Sequence, residues 1–194
     1  YYWKGTAQFH VLLCADARTG GKTAQNKRRV KNAVDSLRRA VQLDPDDAES
    51  HALLSVLIGM QIKADPISIL WRGPRVSHHK KTALALAPDN PRAYYLLGAS
   101  CLFAPNLLGA DDEKALTLLL KADRLYAKEK STERHALEPR WGHPHCLTFI
   151  GRIYQDRQHL TTAIEYYQKA LALNPENAAA KEGLQECRRT QRNE

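Results

Sequence analysis

Three short segments punctuate the chain: Leu43-Asp44-Pro45-Asp46-Asp47-Ala48, Leu86-Ala87-Pro88-Asp89-Asn90-Pro91 and Leu173-Asn174-Pro175-Glu176-Asn177-Ala178. Each closes an Ala/Leu-rich helical pattern and opens another. Proline ends the helix before it, because it lacks an N–H and restricts its neighbour. The Asp, Asn or Glu that follows can cap the next helix and complement its positive end. Pro45 and Pro88 stand 43 residues apart, and Pro175 lies 87 further on, close to two more units. A period of this size predicts stacked helical hairpins, none of which buries its apolar stripe alone.

Composition agrees with a globular chain. Of 194 residues, 43% are hydrophobic and 26% charged, and the net charge of +8 favours acidic partners without naming one. No apolar run approaches the roughly 18 residues of a membrane-spanning helix. The chain opens at Tyr1 with neither initiator Met nor a secretory pattern, so an upstream segment is expected to have been removed. That leaves bacterial cytoplasm and periplasm both open as locations. Cys14, Cys101, Cys146 and Cys187 are scattered without C-x-x-C spacing and are expected to be buried free thiols.

The periodicity places helices at about 1–17, 24–43, 47–62, 66–72, 75–86, 91–103, 111–127, 144–157, 160–173 and 177–191. From Pro144 onward, Leu147, Ile150, Gly151, Tyr154, Ala163, Tyr167, Ala170 and Pro175 follow one pattern. Small residues at 151, 163 and 170 let two helices approach, and the large ones fill what remains. This row resembles the tetratricopeptide repeat almost position for position. Stretched versions stand upstream. They comprise Tyr94, Leu97 and Gly98 with Ala115, Leu119 and Ala122; Leu54 and Ser55 with Thr82-Ala83-Leu84; and Ala33, Leu37, Ala40 and Pro45. The segments PDNPRAYYLLG, AP-x-LLGADDEKAL and PRWG are also similar to bacterial tetratricopeptide proteins of mostly unknown function.

The resemblance implies an all-α, right-handed solenoid of about four hairpins in a single domain. Its units would span about 1–45, 46–88, 89–140 and 141–176, with a polar capping helix at 177–192. It also implies a concave side lined by the first helix of each hairpin. That assigns Glu49, Val56 and Met60 to the groove, then Arg92, Tyr95, Leu102 and Phe103, then His145, Thr148, Arg152, Gln155 and Asp156. Arg92, Tyr95 and Arg152 could hold a carboxylate, with Met60, Phe103 and Tyr95 supplying apolar contact. The Lys/Asn set with which chaperone-docking members clamp an acidic C-terminus is missing.

Other motifs carry less chemistry. Thr19-Gly20-Gly21-Lys22-Thr23 has the tail of a phosphate loop, but Asp16 occupies the place of its first glycine, so a hairpin turn is expected. His78-His79 and His143-Pro144-His145-Cys146 are spaced poorly for zinc, and no metal or cofactor is expected. Asp111-Asp112-Glu113 reads as a helix start. No nucleophile or acid–base pair stands out, so the chain is not expected to be an enzyme. Between Lys22 and Arg39, seven cations face Asp35 alone. They include the patch Lys27, Arg28, Arg29 and Lys31, opposite the apolar stripe Val30, Ala33, Val34, Leu37, Ala40 and Val41.

Three functions stay open. One is a non-catalytic scaffold binding a protein or peptide segment in the groove, an acidic one suiting its arginines. A second is an accessory ligand-binding subunit of a bacterial transporter, with a pocket at the inserts 63–75 and 104–110. The third is binding of the basic helix to nucleic acid or an anionic membrane. Nucleic acid is the weaker case, since no aromatics are interleaved with the cations. Tyr1, Tyr2 and Trp3 also offer a possible homo-oligomer surface.

Overall fold

A computed structural model describes residues 1–19, 23–103, 111–129 and 141–193, with the backbone alone for 13–19 and 103. Among the described residues there are nine α-helices and one 3-10 turn, and no strand. The helices are α1 (Tyr2–Thr19), α2 (Ala24–Leu43), α3 (Ala48–Ala64), α4 (Ile69–Leu86), α5 (Pro91–Phe103), α6 (Asp112–Glu129), α7 (His143–Asp156), α8 (Leu160–Leu173) and α9 (Ala178–Asn193). The 3-10 turn, Pro66–Ser68, runs straight into α4. Consecutive helices pair as α1 with α2, α3 with α4, α5 with α6 and α7 with α8. The pairs then stack in chain order, α9 lying on α7 and α8. This is an all-helical repeat solenoid.

The punctuating segments do the work their residues allow. Two positions after each proline, a side chain caps the next helix. Asp47 accepts from the N–H groups of Glu49 and Ser50 at 3.1 and 3.2 Å. Asn90 accepts from those of Arg92 and Ala93 at 2.9 and 3.3 Å, and Asn177 from that of Ala180 at 3.2 Å. Each satisfies donors that a helix start leaves without an intrahelical partner.

Close approach inside the hairpins rests on glycine. A Cβ at Gly151 would stand 2.9 Å from the Tyr167 ring and 3.3 Å from the Ala163 carbonyl. At Gly98 it would meet Leu119 at 2.7 Å and the Ala115 carbonyl at 3.2 Å. Gly5, in a helix whose sequence fits the repeat only loosely, plays the same part against Leu37 at 2.5 Å.

One expectation fails. Residues 66–72 and 75–86 are not two helices, because α4 continues through Pro74. Proline at 74 frees the carbonyl of Leu70, a residue 77% exposed, so water can take the missing bond. Cys101, Cys146 and Cys187 are buried free thiols, while the side chain of Cys14 lies outside the described residues.

Candidate interaction surfaces

The first helices of the hairpins turn one register position toward a common interior. Glu49 and Arg92 each follow their punctuating proline by four residues, so stacking α3 on α5 brings them together. Arg92 Nε donates to Glu49 Oε1 at 2.5 Å, and its Nη1 and Nη2 donate to the two oxygens of Glu129 at 3.1 and 3.2 Å. Asn90 Nδ2 donates to the same Glu49 oxygen at 3.0 Å, and the Tyr2 hydroxyl donates to Glu49 Oε2. Burial alone would lower the Arg92 pKa, but the carboxylates of Glu49 and Glu129 reverse this and raise it. Burial, with the Glu49 charge behind it, pushes the Tyr2 phenol far up.

Trp141 completes this interior. Its indole N–H donates to the Tyr2 hydroxyl at 3.0 Å, although 139 residues separate the two. Its ring lies against Phe9 and His10 of α1 and against Tyr95 of α5, with centroid distances of 6.5, 5.0 and 6.2 Å. Gly142 follows at φ +103, and a Cβ there would fall 2.3 Å from the Tyr126 hydroxyl. That hydroxyl itself donates to the Trp141 carbonyl at 3.1 Å. Of the residues that the repeat pattern assigns to the groove, Tyr95 is therefore covered by the chain's own Trp141.

This corrects two groove assignments. Arg92 is 6% exposed and already binds carboxylates, those of Glu49 and Glu129; Tyr95 is 0% exposed. Neither is open to a partner. Glu49, Val56 and Thr148 are likewise buried. Met60 and Leu102 are half-buried against the core, and the Phe103 side chain lies outside the described residues. Gln155 accepts from the Tyr167 hydroxyl at 2.7 Å and donates to Glu186 at 2.9 Å, which ties α7 to α8 and α9. Arg152 is exposed, 3.9 Å from Asp156. His145 is half-buried, its ring 6.0 Å from that of His10. Beside the Tyr2–Glu49 contact, an open cleft of about 390 Å³ is lined by Asp44, Asp46, Asp47 and Glu49 with Tyr2, Trp3 and Asn90. Its carboxylates would repel an acidic segment. Tyr2 is thus drawn inward, leaving Tyr1 and Trp3 as the exposed aromatics of that end.

The histidines disperse. His143 meets Asp123 at 2.7 Å and stacks on Tyr126, while the Cys146 thiol donates to the Leu119 carbonyl. His51 Nδ1 lies 2.9 Å from His79 Nδ1, and His51 Nε2 lies 3.0 Å from the Pro45 carbonyl. An Nε2–H donating to that carbonyl leaves Nδ1 of His51 to accept from His79. Burial first, then the nearby His51, lowers His79 to about 4. Among the described residues, no group of three or more His, Cys, Asp or Glu is arranged to hold a metal ion.

The basic face of α2 stands open. Lys27, Arg28, Lys31, Arg38 and Arg39 are exposed, while the apolar stripe with Ala33, Val34, Leu37 and Ala40 is buried. Arg29 donates to Asn26 at 3.2 Å, and Arg38 pairs weakly with Asp35 at 3.5 Å. Among the described residues, Lys27, Arg28 and Lys31 have no carboxylate within ion-pair distance. The turn at 20–22 and the insert at 104–110 lie outside the described residues.

Residues 6–193 match the family model described as Regulator of microtubule dynamics protein 1-3. The chain belongs to that family. Its fold is shared more widely. The crystal structure of MamA superposes with a TM-score of 0.54 at 17% identity, covering 86% of this chain and 81% of that one. PilF from Pseudomonas aeruginosa gives 0.59 at 20% identity, covering 98% of this chain and 70% of that one. Both are tetratricopeptide-repeat proteins, so the family member described here carries the same kind of helical repeat. No curated protein sequence matches the chain.

Proposed function

We propose that this chain is a non-catalytic scaffold that takes a protein partner on the basic outer face of α2, the family description pointing to microtubules as that partner. The observation that carries the reading is the contrast between two sets of cations. Arg92 is consumed by internal carboxylates, whereas Lys27, Arg28 and Lys31 are exposed and unneutralised among the described residues. They also stand near the N-terminal end of α2, whose first turn holds no acidic residue. Lys27, in that first turn, opposes the helix dipole at a cost of about 0.3–1 kcal/mol.

The arrangement suits an acidic polymer surface, to which association is steered by charge and weakened by salt. The test is co-sedimentation with microtubules over a salt series, comparing the natural chain with Lys27→Glu/Arg28→Glu/Lys31→Glu. The expected result is salt-sensitive binding that the triple variant loses, with thermal stability kept or raised. Binding unaffected by the reversal would refute the assignment. The groove reading puts Met60, His145, Arg152 and Gln155 around a partner segment. It predicts binding lost on Arg152→Ala and kept in the α2 triple variant. The transporter-subunit reading and the bacterial kinship have no support of this kind.

A further inference from the structure

The 3-10 turn after α3 and the first turns of α4 expose their apolar side chains. Ile67, Leu70 and Trp71 are 73%, 77% and 52% exposed, and Pro74 is exposed beside them. Leu70, Trp71 and Pro74, at i, i+1 and i+4, fall on one side of α4, and Ile67 stands in the 3-10 turn that runs into it. The opposite face of α4 is ordinary core, with Ala83 fully buried and Val76 and Leu84 packed against the interior. The apolar stripe is therefore an outward addition to a helix already anchored on its other side.

Its mounting is well defined. The Asp65 N–H donates to the carbonyls of Gln61 and Ile62 at 3.0 and 3.1 Å, closing α3. Buried Ser68 donates through Oγ to the Asp65 carbonyl at 2.6 Å, and Arg72 reaches the Asp65 carboxylate at 3.6 Å. The stripe stands out from this mounting as an exposed apolar knuckle.

Charge identifies what it fits. From 63 to 81 the chain carries Lys63, Arg72, Arg75, Lys80 and Lys81, against Asp65 as the one carboxylate. Lys63, Arg75 and Lys81 are exposed. A second copy docked face to face would oppose like charges across the apolar contact. An anionic lipid surface offers both complements at once, acyl chains for Ile67, Leu70 and Trp71 and headgroup charge for the cations. We propose that this knuckle is a peripheral docking site for an anionic membrane surface, the apolar stripe inserting to headgroup depth.

The test uses the full chain and large unilamellar vesicles, either phosphatidylcholine alone or with about 30% phosphatidylserine. Flotation is expected with the anionic vesicles and not with the neutral ones, and brominated lipid is expected to quench tryptophan emission less in Trp71→Phe. Leu70→Glu/Trp71→Glu should lower partitioning at least tenfold at an unchanged melting temperature, since both side chains lie in solvent. Lys63→Glu/Arg75→Glu should lower it by a comparable factor, each cation near an anionic surface contributing roughly fivefold. The α2 triple reversal should leave most of the binding in place. Absence of vesicle binding, loss that follows α2 and not the knuckle, or self-association abolished by Leu70→Glu would each overturn the proposal.

Discussion

Replacing Arg92 with Met tests whether the charge cluster inside the stack is structural. The guanidinium is 6% exposed, bonded to Glu49 at 2.5 Å and to both oxygens of Glu129 at 3.1 and 3.2 Å. Methionine keeps much of the apolar stem and removes all three bonds. Breaking a buried ion pair on one side costs about 3–5 kcal/mol, because the remaining charge stays desolvated. Glu49 would keep Asn90 and Tyr2 as donors, and the Glu129 side chain is 19% exposed and can reach water, so the low end applies, about 3 kcal/mol. For a chain of this size that lowers Tm by about 6–12 °C. Circular dichroism melts of Arg92→Met, Glu49→Gln and the double variant measure it. The double variant should lie above the sum of the single losses by about 1–3 kcal/mol, since the amide no longer needs a cation. A loss below about 3 °C for Arg92→Met, or strict additivity, would refute the account. So would loss of partner binding with an unchanged melt, which would return Arg92 to the surface.

Acid should loosen the stack before the carboxylates titrate. Burial lowers His10 and His79 to about 4, each with a neighbouring histidine as the second cause, and lowers His145 as well. The unfolded chain therefore binds protons from about pH 6.5 downward while the folded one does not, so stability falls from 6.5 to about 4 and levels off beneath. Urea midpoints at pH 7.5 and pH 5 check the sign; an equal or higher midpoint at pH 5 contradicts it. Gly151→Ala places a methyl 2.9 Å from a Tyr167 ring that Gly183 confines on its other side, so overpacking of about 1–3 kcal/mol should outweigh a helix-propensity gain of about 1 kcal/mol. Gly59→Ala meets nothing within 4 Å and should stabilise, and equal melts for the two variants would remove the steric argument.

Much of the architecture was readable because it is local. Ala163, Gly151 and Tyr167 sit within 17 residues of one another, and proline with its downstream cap needs only neighbours to act. The interior was not readable in the same way. Repeat register assigns Arg92 and Tyr95 to the groove side of α5, and both are buried. What covers Tyr95 is Trp141, delivered from 46 residues beyond it, and periodicity carries no term for such an arrival. A usable signal did exist: Glu49 and Arg92 occupy equivalent positions of adjacent hairpins with opposite signs. At Pro74 the local rule misled, because a helix tolerates proline where the freed carbonyl faces solvent. Gly5 was likewise a marker of close packing that a loosely fitting helix obscured.

Trp141 changes what sort of object the stack is. A string of hairpins touching only neighbours behaves like a coil spring, whose ends loosen separately and carry no news of each other. An indole that grips α1 and α5 while leading into α7 works as a strap between the first turn of that spring and its third and fourth. Melting should then go as a single event, with no peeling from the amino end, and the strap's own emission would announce its release.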